Sequence, residues 1–443
     1  MTRINNIVIF ISLLLVSQNL LRDLQLEEQR VGDLRNRIVG ARLQKDGISP
    51  YFYKWKKGES VRYYDPLNED GWKVSACTAS PFFHTLLCPV TELPYTAASR
   101  LWVFVLYTLL IATTILAMLL CKKAALPIAC FICVSFTFTE TWLDTIVTKQ
   151  SYLFIPFFAM LVYFFIKKGS TDKWLYIPAG MFSIFLFLTR PTTIFFFLPL
   201  IFIHKKYNAS NKLFFFLPVL LGLIITLSTS QSVLWRDYFK SVNEHIKIHQ
   251  GLNPAPQLND KGDFSEIEGF KTEGYRNNVT RKYKAYVEYS NFFVIINLIS
   301  GYKISPRLLS LCCAAVMLTC TVLFYRIQKK KAVEISPEAV LLLGYCLYMI
   351  SDLGAPIYRG HYNAVQWLFP LLLVPATFQA RYLWLYLLML AALLLNIHYK
   401  PFLPMQHALA EYIWLASFLV YAFIYRENAT MHGPPVQRGI FRL

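Results

Sequence analysis

LWVFVLYTLLIATTILAMLL, residues 101–120, contains no charged side chain. A helix rises about 1.5 Å per residue, so a run of this length matches the roughly 30 Å hydrocarbon core of a bilayer. Working outward, runs of the same kind recur at 150–166, 213–229, 306–325, 382–397 and 408–425. The composition agrees: 56% of the 443 residues are hydrophobic, 16% are aromatic, only 16% are charged, and the mean hydropathy is +0.41. Soluble domains run at about 45–50% apolar and about 25% charged. The chain therefore reads as an all-α polytopic membrane protein, a single membrane domain over 1–443.

The formal net charge is +18 and the pI about 9.4. Such a balance can mark nucleic-acid binding. Here the cations flank apolar spans, where they orient helices, and nucleic acid is excluded as a partner. The nine cysteines show no metal spacing, and most lie in or beside apolar spans as small core residues. Only Cys77 and Cys88 share a hydrophilic loop. They can pair in an oxidising compartment, and the sequence leaves that geometry open. Residues 1–21 have a basic start, Arg3, and an apolar run. The flank VSQNLLRD lacks a small-residue cleavage site, so the expectation is an uncleaved first membrane helix.

About twelve spans are expected, at 5–21, 100–120, 125–142, 150–166, 174–189, 191–204, 213–230, 306–326, 338–350, 362–379, 382–398 and 408–425. Two hydrophilic loops are long, 22–99 and 231–305. Short loops on one side carry Lys122–Lys123, IKKGSTDK, HKKYNASNK, RIQKKK, Arg381 and the basic tail. The other side carries Lys149, Arg190, Arg359 and Lys400. The split is roughly 17 cations against 4. It puts both termini in the cytoplasm and both long loops outside a plasma (inner) membrane. NFFVIINLISG, 291–301, is too short to span and is expected to lie re-entrant or interfacial at the outer face. No inverted repeat is evident, which weakens a transporter reading.

Several segments, taken in order, carry a resemblance. DLRNRIVGARLQKDGISPYFY (33–53) opens on an aspartate, runs through a small-residue helix and ends on an aromatic cluster. ASPFFHTLLCPVTELPYTAASRLWVFV (79–105) leads into the second span, and KQSYLFIPFFAMLVYFF (149–165) heads the fourth. AGMFSIFLFLTRPTTIFFFLPLIF (179–202) joins two helices at a cation and proline, and RGHYNAVQWLFPLLL (359–373) opens a late helix. Together they resemble a GT-C type glycosyltransferase, closest to glycosyltransferase family 87, the polyprenol-phosphate-mannose-dependent mannosyltransferases. Position 149 is Lys where that family usually has Gly, and position 190 is Arg where Lys is usual. The resemblance implies the GT-C fold. It implies transfer of a sugar, mannose-like, from a polyprenyl-phosphate donor to a lipid or glycan acceptor. The transfer takes place on the non-cytoplasmic face, with inversion at the anomeric carbon.

Inverting transfer needs a base for the acceptor hydroxyl and cations for the leaving phosphate. A phosphate leaves readily, so the paired carboxylates of glycoside hydrolysis are not required. Asp33, the early carboxylate of the first outer loop, is the expected base: a carboxylate at the partly dry edge of a membrane can take a proton efficiently. As an ordinary loop residue it would instead cap the helix that LRNR opens. Arg37 is an i,i+4 neighbour that can pair with it, and it is also read as a contact for the donor phosphate or an acceptor anion. Arg35 and Arg42 read more plainly as the polar face of an amphipathic helix on the membrane surface, with IVGARL its greasy side.

Arg190 sits between two apolar runs, where a cation is costly and marks a functional site by default. Its guanidinium suits a phosphate, and contact with the donor phosphate is favoured over snorkelling to headgroups. Arg359 and His361 are read as neutralising the phosphate, Tyr362 as touching the sugar, and Gln150 as bonding either one or capping a helix. Glu140 and Asp144 share a helical face as a reserve base. No metal and no cofactor is expected. A transporter or flippase of a lipid-linked or anionic envelope precursor is the competing reading, and a non-catalytic assembly protein is a third.

Overall fold

In a computed structural model of the chain, the described residues are 2–26, 33–65, 68, 73–169, 171–199, 209–228, 231–249, 266–267, 270–271, 290–302, 304–330, 336–356, 359–397 and 405–425. The sequons at Asn208, Asn278 and Asn428, the cation Lys400, the basic tail and most of 250–289 lie outside them. Apart from a two-residue antiparallel ladder pairing Glu266 with Lys271, and an isolated bridge between Thr139 and Ile397, the described residues are helical or irregular.

The helices are α1 (Thr2–Leu26), α2 (Leu34–Lys45), α3 (Pro81–Leu87), α4 (Tyr95–Leu120), α5 (Leu126–Phe136), α6 (Glu140–Thr148), α7 (Phe154–Gly169), α8 (Tyr176–Thr189) and α9 (Ile194–Phe197). There follow α10 (Ala209–Ser228), α11 (Gln231–His249), α12 (Phe292–Ser300), α13 (Pro306–Lys330), α14 (Pro337–Leu353), α15 (Leu368–Thr377), α16 (Leu383–Leu395) and α17 (Gln406–Ile424).

The stretch 101–120 lies in α4, as its composition demands. Its threonine hydroxyls bond back one turn, Thr113 to Leu109 O at 2.6 Å and Thr114 to Leu110 O at 2.9 Å, so no hydroxyl is stranded in an apolar setting. One face, with Trp102, Leu106 and Leu110, is buried. The other shows Phe104, Ile115 and Leu119 to the surroundings. An exposed, wholly apolar stripe on a helix of this length suits lipid rather than water. Among the described residues, four helices are long and apolar enough to cross a membrane: Arg3–Gln25, Tyr95–Leu120, Pro306–Gln328 and Gln406–Ile424. Counting Lys212–Ser228 with Gln231–Lys247 as one bent span makes up to five.

Other expected spans are shorter helices. The expected span 125–142 is interrupted: α5 stops at Phe136, where the hydroxyls of Thr137 and Thr139 bond to Val134 O and Phe136 O. Thr139 then caps α6 through Trp142 N. Eleven residues of α5 make about 16 Å of helix, too little to cross a bilayer. The expected span 191–204 holds only the short α9 among its described residues.

Neighbouring helices pack in sequence and across it: α7 on α8, α8 on α10, α14 on α17 and α9, α16 on α17. Where α14 meets α9 the backbones touch. A Cβ added at Gly344 would lie 2.0 Å from Phe196 O, so only glycine permits this approach. The helix ends gather into two sets. At one end, Lys167 Nζ at the close of α7 meets Glu338 Oε1 at the start of α14 at 2.6 Å, and Asn5 of α1 bonds Lys123 O at 3.0 Å. At the other end lie the close of α1, the start of α2, the close of α6, α8 and α14, and the start of α7 and α17. That end holds the candidate site.

The two long loops meet. Ser49 Oγ donates to Asp237 Oδ2 at 2.9 Å, His245 Nε2 lies 3.0 Å from Ser75 O, and Tyr51 packs edge-on against Tyr238. One expectation is corrected here. Helix α2 is not a surface helix: every residue from Leu34 to Leu43 is buried, because α3 and the turn at Val61–Tyr63 cover it. Arg42 donates to Thr91 O at 2.7 Å and to Arg62 O at 3.0 Å, tying loop strands together. The pairing of Cys77 and Cys88 is open in the sequence, and both are free thiols.

Candidate active site

Asp33 precedes α2 in the position of its N-cap, yet its side chain makes no capping bond. Its backbone N–H donates to Thr148 O at 2.8 Å, which pins the start of α2 to the close of α6. The carboxylate instead accepts at Oδ2 from Gln150 Nε2. On the other side of that amide, Arg37 Nη2 donates to Gln150 Oε1, and Arg37 Nη1 donates to Lys149 O at 3.0 Å. A guanidinium can only donate, so it fixes the amide with its NH2 toward Asp33. Asp33 and Arg37 are therefore joined through Gln150, not in the direct pair their spacing allows. Asp33 is half-buried and its Oδ1 makes no hydrogen bond among the described residues. One oxygen is thus held and the other is open, the arrangement a general base requires.

The segment 149–152 makes this junction. Lys149 closes α6 in the left-handed region, φ 53° and ψ 50°, and is 1% exposed. That conformation normally falls to glycine or asparagine, and a lysine there stores backbone strain. The turn aims Gln150 back at Asp33, and the indole Nε1 of Trp102 donates to Gln150 O at 3.4 Å. Two residues on, Tyr152 stacks on Tyr362 with centroids 5.6 Å apart and planes 17° apart. The Arg190 guanidinium lies over the Tyr152 ring, 4.7 Å from its centroid.

Arg190 then reaches Asp352 Oδ1. The other carboxylate oxygen, Oδ2, accepts from Arg359 Nε at 2.5 Å and Gln366 Nε2 at 3.2 Å. Arg359 Nη1 continues to Glu411 Oε1 at 2.5 Å and Ser290 Oγ at 2.7 Å, and Trp367 Nε1 donates to Glu411 Oε2 at 2.8 Å. Two arginines and two carboxylates, three of them almost wholly buried, form one chain. Ions taken out of water are tolerable only when paired and hydrogen-bonded in this way. The chain joins the closes of α8 and α14 to the start of α17 and the 3₁₀ turn His361–Trp367.

The expected residues Asp33, Arg37, Gln150, Arg190, Arg359 and Tyr362 thus fall along one connected run of contacts. His361 lies beside them, its ring 4.9 Å from that of His407. Asp144 is committed to the backbone: its Oδ2 accepts from Tyr362 N at 3.1 Å. Glu140 begins α6, where its N–H donates to Asn396 O at 2.7 Å. Among the described residues no three His, Cys, Asp or Glu side chains gather to hold a metal ion.

Beneath α2 lies a closed layer. Gly40 faces Cys77 and His84 so closely that an added Cβ would stand 2.6 Å from Cys77 Sγ and from His84 Nε2. The thiol and imidazole are 3.1 Å apart. Burial, with a smaller push from the Arg37 guanidinium, lowers His84 to about 3, and burial pushes the Cys77 thiol up. The pair is thus neutral, a packed floor under the helix that carries Arg37.

Sequence reasoning missed Asp352, Glu411 and Tyr152. Asp352 and Glu411 were visible as carboxylates within apolar helices, which alone marks a site. Asp23, fully buried in α1, was missed too: it accepts from Tyr107 OH at 2.6 Å and Trp142 Nε1 at 3.0 Å, locking α1 to α4 and α6.

No family model matches the chain, and no curated protein matches it. Among solved structures, the oligosaccharyltransferase of Archaeoglobus fulgidus in its apo form is similar at a TM-score of 0.37 and 12% identity, over 94% of this chain and 57% of that one. The chain thus spans less than two thirds of that protein's length, and so distant a likeness leaves function to be argued from the residues.

Proposed function

We propose that the chain is an integral membrane glycosyltransferase of the GT-C type, with two large non-cytoplasmic loops. It takes a hexose or pentose, mannose-like as in family 87, from a polyprenyl-phosphate donor and moves it to a lipid or glycan acceptor. The reaction sits at the outer face of the plasma membrane, and both termini are cytoplasmic. One observation carries the reading: Asp33 is not spent on capping its helix, but is held through one oxygen by Gln150 beside a line of arginines. A carboxylate next to fixed cations matches the two demands of the transfer.

In that reaction the acceptor oxygen attacks the anomeric carbon and its proton passes to the Asp33 carboxylate. The bond from the anomeric carbon to the phosphate oxygen breaks, and its electrons leave with the phosphate, which gains a negative charge. Arg190 and Arg359 are the cations that would meet that charge, and Arg37 keeps Gln150 turned toward the base. Preorganised cations in a site shielded from water act strongly on developing charge. Asp144 and Glu140 are weaker candidates, since Asp144 already serves a backbone N–H.

A second reading has a specific observation behind it. Buried charges between helices, such as Asp352, Arg359 and Glu411, also line the pathways of transporters. The purified protein in lipid nanodiscs, given synthetic polyprenyl-phosphate sugars and candidate acceptors, separates the two. Sugar transfer with release of polyprenyl phosphate supports the glycosyltransferase. Movement of intact substrate across proteoliposomes without transfer supports the transporter.

A further inference from the structure

We propose that Asp352 is a built-in counter-anion that competes with the spent polyprenyl phosphate for Arg190 and so speeds its release. The inference rests on the glycosyltransferase reading above and assigns a positioning residue to the same site.

The two oxygens of Asp352 are held unequally. Oδ2 has two partners, Arg359 Nε and Gln366 Nε2. Gln366 is itself oriented, because its Oε1 accepts from Tyr348 OH, which leaves its NH2 to face the carboxylate. Among the described residues, Oδ1 has only Arg190. Loss of Arg190 would therefore leave Asp352 anchored through Oδ2 by Arg359 and Gln366. The two arginines also differ in access. The Arg190 side chain is 23% exposed, against 3% for Arg359. Arg190 is the arm free to turn to an incoming anion.

A second observation points to that anion. Arg359 Nη2 is buried and has no hydrogen-bond partner among the described residues. A buried donor without an acceptor is costly, and an oxygen supplied by a ligand would remove the cost. A phosphate oxygen between Arg190 and Arg359 would satisfy both.

Charge counting gives the consequence. At rest, Arg190 and Arg359 are balanced by Asp352 and Glu411. A donor phosphodiester brings one negative charge, and the monoester left after transfer brings nearly two. A site with surplus positive charge would hold that product. Asp352 removes the surplus, and it takes Arg190 back when the product moves off. A merely structural tie would have no such effect on anion affinity.

The test compares the parent with Asp352→Asn in nanodiscs. Each is titrated with a short-chain polyprenyl monophosphate, and with the uncharged polyprenol as control. The expected result is phosphate binding tighter by about tenfold or more in Asp352→Asn, with polyprenol binding unchanged. Under turnover, kcat and KM should fall together, as slow release demands. Equal or weaker phosphate binding in the variant overturns the inference alone, provided the parent prefers the phosphate to polyprenol. If neither protein shows that preference, the glycosyltransferase reading falls with it. Should Asp352→Asn not fold unaided, purification with polyprenyl phosphate must recover it, since the ligand replaces the missing charge. Failure of that recovery, or equal recovery with polyprenol, overturns the inference.

Discussion

Gln150 reaches Asp33 across 117 positions of sequence and holds one of its carboxylate oxygens. The contact exists because α6 ends in a left-handed residue that turns the chain back toward the start of α2. It converts an ordinary helix-opening aspartate into a side chain with one oxygen fixed and one open.

That contact gives the first prediction. Gln150→Leu keeps the bulk but removes both halves of the bridge, to Asp33 and to Arg37. Stability should fall by about 1–3 kcal/mol, the usual cost of stranding buried partners. Turnover should fall more than donor affinity does if the bridge to Asp33 serves to orient the base. A KM rise with unchanged kcat, measured with any donor the parent uses, would assign Gln150 to substrate binding instead.

Lys149 supplies the second. Lys149→Gly and Lys149→Ala remove the same side-chain groups beyond Cβ, but only glycine relieves the left-handed strain at φ 53°. The glycine variant should be the more stable of the two by about 1 kcal/mol. Thermal unfolding in one detergent measures the difference. An alanine variant as stable as the glycine variant would show that the turn is not strained.

His84 supplies the third, a pH dependence. Its ordinary value of 6.5 is lowered to about 3 in the folded protein by burial first and Arg37 second. Between those values the unfolded chain binds the proton and the folded chain does not, so stability rises with pH across that window. The contribution of His84 is complete above 6.5 and is lost progressively as the pH falls toward 3. Unfolding midpoints of the parent should therefore drop more steeply from pH 6.5 to pH 4 than those of His84→Gln. Parallel curves would mean that His84 takes up its proton in the folded state.

Much of this was legible in the chain. Runs such as 101–120 declare themselves as helices through composition alone. Arg190 and Arg359 stood out because cations are rare among apolar residues. The rest depended on long-range contacts that no local pattern encodes. The spacing of Asp33 and Arg37 suggested a direct pair, but a glutamine from the far end of α6 comes between them. Arg35 and Arg42 looked like a polar face turned to water, yet both are buried, their charges turned toward loop carbonyls or an aromatic ring: Arg35 lies against Tyr95 and bonds Tyr64 O. Asp352 and Glu411 were single polar letters inside apolar words, and only folding brings them to the arginines. The break of α5 at Thr137 escaped notice because a hydropathy run does not register threonines that bond back to their own helix.

The central claim is that Asp33 takes the acceptor proton, and Asp33→Asn tests it. Asparagine is nearly isosteric, so α2 and its contacts should persist, and the amide cannot act as the base. With a donor and acceptor that the parent uses, turnover should fall by about 10²–10⁴, the usual worth of general-base catalysis. Affinity for the polyprenyl-phosphate donor should stay close to that of the parent. Glu140→Gln and Asp144→Asn should lose less. Near-parental turnover by Asp33→Asn would contradict the account and move the base elsewhere.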